Sequence, residues 1–436
     1  MNTMVLASGG SEPRKRRHGR KSGVDGKKNI DKSKKGENQT GDAKSFEGQK
    51  SLLVQLEGET WYNYGSQLPG WNATIKGTAE ELSEQRNSSQ IDGRSNHPSV
   101  VSKYRDMADL IFRKEVELFR KSSSRGSDER WVENTMKRGT LKDRIAAMSV
   151  TVSSDPIHNF GVLDGLLQMS GCSSTPTQSN APSSGGGPAG QTNSRVAQMT
   201  AEALEDLFLN TLLPSDRKLL TLSQRPLFRY EGGGGKKTSS QKTLSPRILI
   251  LWRFEEMVKE KYDIFLRKYM THTLHEGVVT QKIATLRLAA TFLRSIPEGE
   301  SHLLAMIVNK LGDPEKKTAS SAGHELRRVL QQHPNMQLVI AREVQQLCHR
   351  PHLSARAQYN CIVFLNQLKL SRDGDDDSSS NNNEIDANIR RNTSKESLPA
   401  SLIKTYFRFF EVAINKSKND SSDDSGIKSR LLSALL

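Results

Sequence analysis

The chain has 436 residues, a net charge of +15, and only 34% hydrophobic residues, so part of it cannot belong to a packed core. Its longest purely apolar run, Ile248-Leu249-Ile250-Leu251-Trp252, is far short of a membrane span, and Met1–Gly10 lacks a secretory apolar core. Three cysteines (Cys172, Cys348, Cys361) make no disulfide framework, which indicates a reducing, intracellular setting, while the positive excess points to a polyanionic partner.

Residues 1–58 read as a disordered basic arm. Residues 1–50 hold 13 Lys/Arg against 6 Asp/Glu, a net +7, with few large apolar residues to repay the entropy of ordering. The dense cluster Arg14, Lys15, Arg16, Arg17, Arg20 and Lys21 reads as a nuclear-import signal that doubles as a nonspecific RNA-binding arm. A solubilising tail with no address is the alternative.

An N-terminal helical segment, 59–170, follows. Lys103–Lys121 places Met107, Leu110, Ile111, Val116 and Phe119 on a helix, and Leu141–Val152 pairs with Ile157–Met169 across Ser154-Asp155-Pro156. A flexible loop, 171–198, leads to helical repeats over 199–370, themselves interrupted by the glycine-rich loop 231–243. Ala201–Leu213 and Ile248–Tyr269 are the first helices of that region.

The clearest periodicity lies in 280–370. Ile283, Leu286, Ala290 and Leu293 share a face that Pro297 ends, and Ser301 is placed to cap the next helix, whose stripe is Leu304, Ile307, Val308 and Leu311. A third helix carries Ala319, Ala322, Leu326, Val329 and Leu330, a fourth Leu338, Val339, Val344 and Leu347, and a fifth Ala357, Cys361, Phe364, Leu365 and Leu368. Helix pairs recurring at 35 and 38 residues are the mark of HEAT- or armadillo-type stacking, with a plain bundle as the competitor. An acidic low-complexity loop, 371–397, precedes a C-terminal helical segment, 398–436, whose amphipathic helix Leu398–Ile414 bears Leu402, Tyr406, Phe409 and Phe410. No strand pattern is present, so the expected fold is an all-α HEAT/armadillo-like α-solenoid with a disordered arm and low-complexity loops.

Catalytic and metal patterns fail on spacing. Gly232-Gly233-Gly234-Gly235-Lys236-Lys237-Thr238 lacks the phosphate-loop register and a preceding strand. Cys348, His349 and His352 have no second ligand cluster, and His349 reads as a helix C-terminal residue. Glu255-Glu256 reads as a surface pair among Lys259 and Lys261. No enzyme activity, cofactor, metal or small-molecule substrate is expected. The remaining candidate is a basic face in 281–370, where 12 Lys/Arg face 6 Asp/Glu; Arg287, Arg294, Lys316, Lys317, Arg327, Arg328 and Arg356 lie off the apolar stripes. Stacked pairs could gather them along a groove for an RNA backbone or an acidic protein, against the plainer reading of a solvated face.

Several strings resemble one family. Gly139-Thr140-Leu141-Lys142-Asp143-Arg144-Ile145-Ala146-Ala147, Pro156-Ile157-His158-Asn159, Leu212-Leu213-Pro214 with Asp216-Arg217-Lys218-Leu219, and Gln224-Arg225-Pro226-Leu227 come first. Val308-Asn309-Lys310-Leu311-Gly312-Asp313, His333-Pro334-Asn335-Met336, Arg356-Ala357-Gln358-Tyr359, Leu365-Asn366-Gln367-Leu368 and Leu431-Leu432-Ser433-Ala434-Leu435-Leu436 follow, with Trp61-Tyr62 near the N-terminus. Together they are similar to the N-terminal and solenoid part of the CCAAT-binding-factor, or maintenance-of-killer nucleolar-complex, family. Trp252-Arg253-Phe254 departs from the expected aromatic pair, and the chain stops at Leu436 without the half that gives the family its name, as in a short relative, a truncated gene model or a fragment.

The resemblance implies a non-catalytic nucleolar scaffold in large (60S) ribosomal subunit assembly. It would bind pre-rRNA and pre-60S particles, other assembly factors and a second nucleolar-complex protein. A regulator associated with CCAAT promoters is the alternative, although no major-groove reading motif is present. A nuclear transport receptor would share the fold, but a basic solenoid with its own import signal reads as cargo.

Overall fold

The computed structural model describes residues 51–53, 60–73, 96–122, 126–172, 194–230, 244–369, 398–417, 429–431 and 433–434. The proposed import cluster at Arg14–Lys21 and the three low-complexity cores lie outside them. Among the described residues all regular structure is helical, as the sequence predicts.

The first half is built around one buried helix. α1 is Trp61–Ser66, α2 Pro98–Ser122, α3 Ser127–Arg138, α4 Leu141–Ser154, α5 Phe160–Met169 and α6 Ser194–Leu207. Thr140 caps α4 by accepting the Asp143 N–H at 3.3 Å. α7, Pro246–Ile264, contains the apolar run Ile248–Trp252, and all five of those residues are buried. A helix apolar on every side needs neighbours all round, and here α2 packs on it together with Trp61 and Phe160, whose rings meet Phe254 edge-on at 5.2 and 5.3 Å. Among the described residues no helix is long and apolar enough to cross a membrane.

Two π turns interrupt this region. α6 runs into Phe208–Leu212, and α7 runs through Phe265–Met270 into α8, Thr271–Glu276. The turns face each other, with Phe208 stacked on Phe265 at 5.7 Å. A π turn carries an extra residue per turn, and in the second one Phe265, Leu266, Tyr269 and Met270 are buried.

The second half is a sequential stack. α9 is Val279–Ser295, α10 Glu300–Asn309, α11 Lys316–Gln332, α12 Gln337–Cys348, α13 Ala355–Leu365 and α14 Leu398–Ser417. α9 packs on α10 and α11, α10 on α11 and α12, and α12 on α13 and α14. Contact with the next helix and the next but one is what stacked helical pairs produce. The apolar core is continuous from Leu53 to Leu431.

Several local expectations change. The first long helix begins earlier, at Pro98, and buries Val100, Val101, Tyr104 and Ala108, leaving Met107 and Leu110 exposed. Ser127–Arg138 is an additional helix. Val339 is exposed rather than part of the α12 stripe. Ser301 does not cap α10: Gly299 does, in the left-handed region at φ 74°, because the turn after Pro297 starts the helix two residues sooner.

Candidate nucleic-acid interface

The seven basic candidates do not form one uniform groove. Arg294, on α9, is turned inward and meets Glu325 of α11 at 3.4 Å, and Arg328 reaches the same carboxylate at 3.3 Å. Glu325 is 1% exposed, so two guanidiniums neutralise a buried charge there. Arg287 is exposed but lines a cleft of about 260 Å³ with Glu202 and Glu205 of α6, a poor setting for a phosphate. Burial, then the Glu202 charge, raises the Glu205 pKa, so the acids there are already crowded.

The other candidates remain at the surface. Lys316 and Lys317 open α11 and are exposed, as are Arg327, Arg328 and Arg356. Arg327 donates from Nη1 to the Gln367 side-chain carbonyl just beyond α13. Along α11 the exposed residues are Lys316, Lys317, Ser320, His324, Arg327, Arg328, Gln331 and Gln332, with the helix's single acid, Glu325, buried.

The strongest electrostatics lie elsewhere, in buried ion pairs. Glu255 and Glu256 are 0% and 2% exposed, which overturns their reading as a surface pair. Glu255 takes Arg217 at 2.5 Å, Arg225 at 2.6 Å and the Leu220 N–H at 3.0 Å. Arg225 is itself held between the rings of Trp71 and Trp252, at 5.3 and 5.0 Å, and donates to the Trp71 carbonyl at 2.7 Å. Burial pulls the Arg225 pKa down against the charge and hydrogen bond of Glu255.

Glu256 takes Arg105 at 2.9 Å and Arg253 at 2.8 Å, and Arg253 also meets Asp109 and Glu260 at 2.7 and 3.2 Å. Arg253 therefore ties α7 to α2, while Trp252 and Phe254 on either side of it fill the core. Burial works to lower the Arg253 pKa, and Asp109, Glu260 and Glu256 together more than reverse it.

A second cluster fastens residues 51–53. Glu115 of α2 accepts Ser51 Oγ at 2.5 Å and the Leu52 and Leu53 N–H groups at 2.9 and 2.8 Å. Behind it lies His158, with Nε2 3.7 Å from Glu115, Nδ1 2.6 Å from Asp155 and its ring stacked on Phe119 at 3.9 Å. Burial alone would lower the His158 pKa, but the Asp155 hydrogen bond and the nearby carboxylates of Asp155 and Glu115 raise it to about 8. Burial likewise opposes ionisation of Glu115, and its hydrogen bonds bring it down to about 2.

Of the histidine and cysteine candidates, Cys348 and His349 pack against neighbouring helices, and His352 is exposed. His349 sits at the end of α12 and stacks on Phe409 of α14 at 5.3 Å, and burial, then Arg408, lowers its pKa. Cys348 and Cys361 are buried, and their mutual hydrogen bond, then burial, pushes the Cys348 thiol up. Among the described residues no group of three or more His, Cys, Asp or Glu side chains could hold a metal.

The strings noted in the sequence coincide with these joints. Arg217, Arg225 and His158 belong to them, and so does Asp313, which is buried between Lys310 at 3.0 Å and Lys282 at 3.7 Å. Trp61 donates to the Leu212 carbonyl at 3.1 Å, joining two more.

No family profile matches the chain. It is 32% identical over 339 residues to CCAAT/enhancer-binding protein zeta of Homo sapiens, covering 77% of this chain and 27% of that protein. It is 34% identical over 249 residues to Nucleolar complex protein 1 of Drosophila melanogaster, covering 56% of this chain and 19% of the relative. Ribosome biogenesis protein NOC1 of Chaetomium thermophilum is 27% identical over 290 residues, covering 64% of this chain and 26% of its own length. The chain thus spans about a quarter or less of the length of these relatives.

Proposed function

The chain belongs to the CCAAT-binding-factor family of nucleolar-complex proteins, and from that membership we propose that it is a non-catalytic scaffold of ribosome assembly. It acts in the nucleolus on the large (60S) subunit, holding pre-rRNA and assembly factors together with a second nucleolar-complex protein. What supports this reading, beside the membership, is that several of the strings noted in the sequence hold residues at the joints of the stack. Arg217 and Arg225 fasten the segment before the glycine-rich loop to α7, His158 sets the α4–α5 turn against Glu115 and Phe119 of α2, and Asp313 ties the turn after α10 to Lys282 of α9. Such a pattern preserves the shape of a surface, which is what a scaffold needs.

Depletion of the protein tests the proposal. The expected outcome is a selective shortage of large subunits, with the tagged protein co-sedimenting with large-subunit rRNA precursors. An unchanged 60S:40S ratio overturns it.

A second reading, action at CCAAT promoters, is favoured by the name of the human relative. Sequence readout needs an element that enters the major groove and pairs with base edges. Binding CCAAT and scrambled duplexes equally at physiological salt would remove this alternative.

A further inference from the structure

Resting on the scaffold reading above, we propose that the outward face of α11 is a binding ridge for the phosphodiester backbone of duplex RNA, engaged without regard to sequence. The ridge begins with the exposed doublet Lys316-Lys317 and closes with the doublet Arg327-Arg328. The two doublets are eleven residues apart, which is three helical turns, so they project at nearly the same azimuth about 16 Å apart along the axis. Ser320 and His324 lie exposed between them and add hydroxyl and ring-nitrogen groups suited to a phosphate oxygen.

Opposing charge is removed from this face. Glu325 is buried and is neutralised from behind by Arg294. Glu315, which is exposed, stands one residue before α11 at its N-cap, at the edge of the face rather than within it. The arginines are also held in place. Arg328 leans on Glu325, and Arg327 is tied to Gln367, yet each guanidinium has five N–H donors and keeps several to spare. Groups ordered beforehand lose less entropy on binding.

The shape of the ridge selects among polyanions. α11 carries no Phe, Tyr or Trp, so the His324 ring is its single aromatic surface for stacking an unpaired base. A rigid row of cations on a straight helix gains most from a partner whose charges are equally rigid and dense, which a duplex supplies and a flexible strand does not.

The test is the salt dependence of binding by the full chain to a 20-base-pair RNA duplex of mixed sequence. In the variant Lys316→Gln/Lys317→Gln, the slope of log K against log salt should fall in magnitude by about 1.8, at about 0.9 for each phosphate no longer neutralised. Both side chains are exposed, and removing cations from a helix's first turn does not oppose its dipole, so the variant should fold normally. Arg327→Gln should remove about 0.9 more, and single strands of equal length should bind more weakly than duplex. The exposed Lys142 on α4 serves as bystander in Lys142→Gln.

An unchanged slope in the Lys316/Lys317 variant overturns the proposal. So does an equal fall in the bystander, or displacement of the duplex by poly-glutamate at equal charge concentration, which would make the partner an acidic protein. Failure here leaves the depletion test of the scaffold untouched, and a normal 60S:40S ratio on depletion would not alter the slope.

Discussion

Arg225 Nη2 donates to Glu255 Oε2 at 2.6 Å, and both side chains are closed to water, at 1% and 0% exposed. The pair joins the segment before the glycine-rich loop to the central helix α7, and Arg217 completes it from the other carboxylate oxygen. Removing one partner of such a pair leaves an uncompensated buried charge. Glu255→Ala strands two guanidiniums and should cost about 3–5 kcal/mol in urea unfolding. Arg225→Met leaves Arg217 still paired with Glu255 and should cost less, and a double-mutant cycle measures the coupling between Arg225 and Glu255.

The His158 cluster should make stability depend on pH from both sides. The His158 pKa is raised to about 8, above its ordinary value of 6.5, so its contribution is complete below about pH 6.5 and fades as pH rises through 8. That contribution is on the order of 2 kcal/mol, at 1.36 kcal/mol for each unit. Glu115, lowered to about 2, contributes above its ordinary value of 4.5, and that contribution disappears as pH falls toward 2. Unfolding free energy measured from pH 6 to 9 should decline in the wild type and decline less in His158→Asn.

Gly299 begins α10 at φ 74°, and a Cβ there would stand 3.0 Å from Leu266 Cδ1. Gly299→Ala should therefore lower stability by about 1–2 kcal/mol for the left-handed backbone alone, with the close approach adding to it. Thermal unfolding of the variant checks this, with Ser301→Ala as a comparison expected to change little, since Ser301 is no cap.

Three of the four tryptophans, Trp61, Trp71 and Trp252, are at most 1% exposed, whereas Trp131 on α3 is 68% exposed. Acrylamide should quench one tryptophan's share of the fluorescence readily and the rest poorly. Trp131→Phe should remove the readily quenched share with a stability change under about 0.5 kcal/mol.

The helical stack from α9 to α13 was legible because each helix there has one wet and one dry side. Leu286, Ala290, Leu293, Leu326, Val329, Cys361 and Leu365 are buried where a 3.6-residue period puts them. Central helix α7 was harder, since a helix buried on every side has no period to read. Glu255 and Glu256 could not be recognised as buried from their neighbours: their arginines lie 38, 30 and 151 residues away, apart from Arg253. The cations of the basic face could be found as off-stripe positions, but not that Arg294 turns inward, because its partner Glu325 sits on another helix.

The stacked Phe208 and Phe265 mark two π turns, one that closes α6 and one that puts a surplus residue inside the continuous helix from α7 to α8. Each residue advances a helix by about 100°, so the surplus in the Phe265–Met270 turn sets the aim of α8 toward α9 independently of how α7 meets α2. Length variation is absorbed harmlessly in a surface loop, but here the count acts as an angle. Deleting one residue in that turn would leave a well-formed helix whose far end points its apolar side at water.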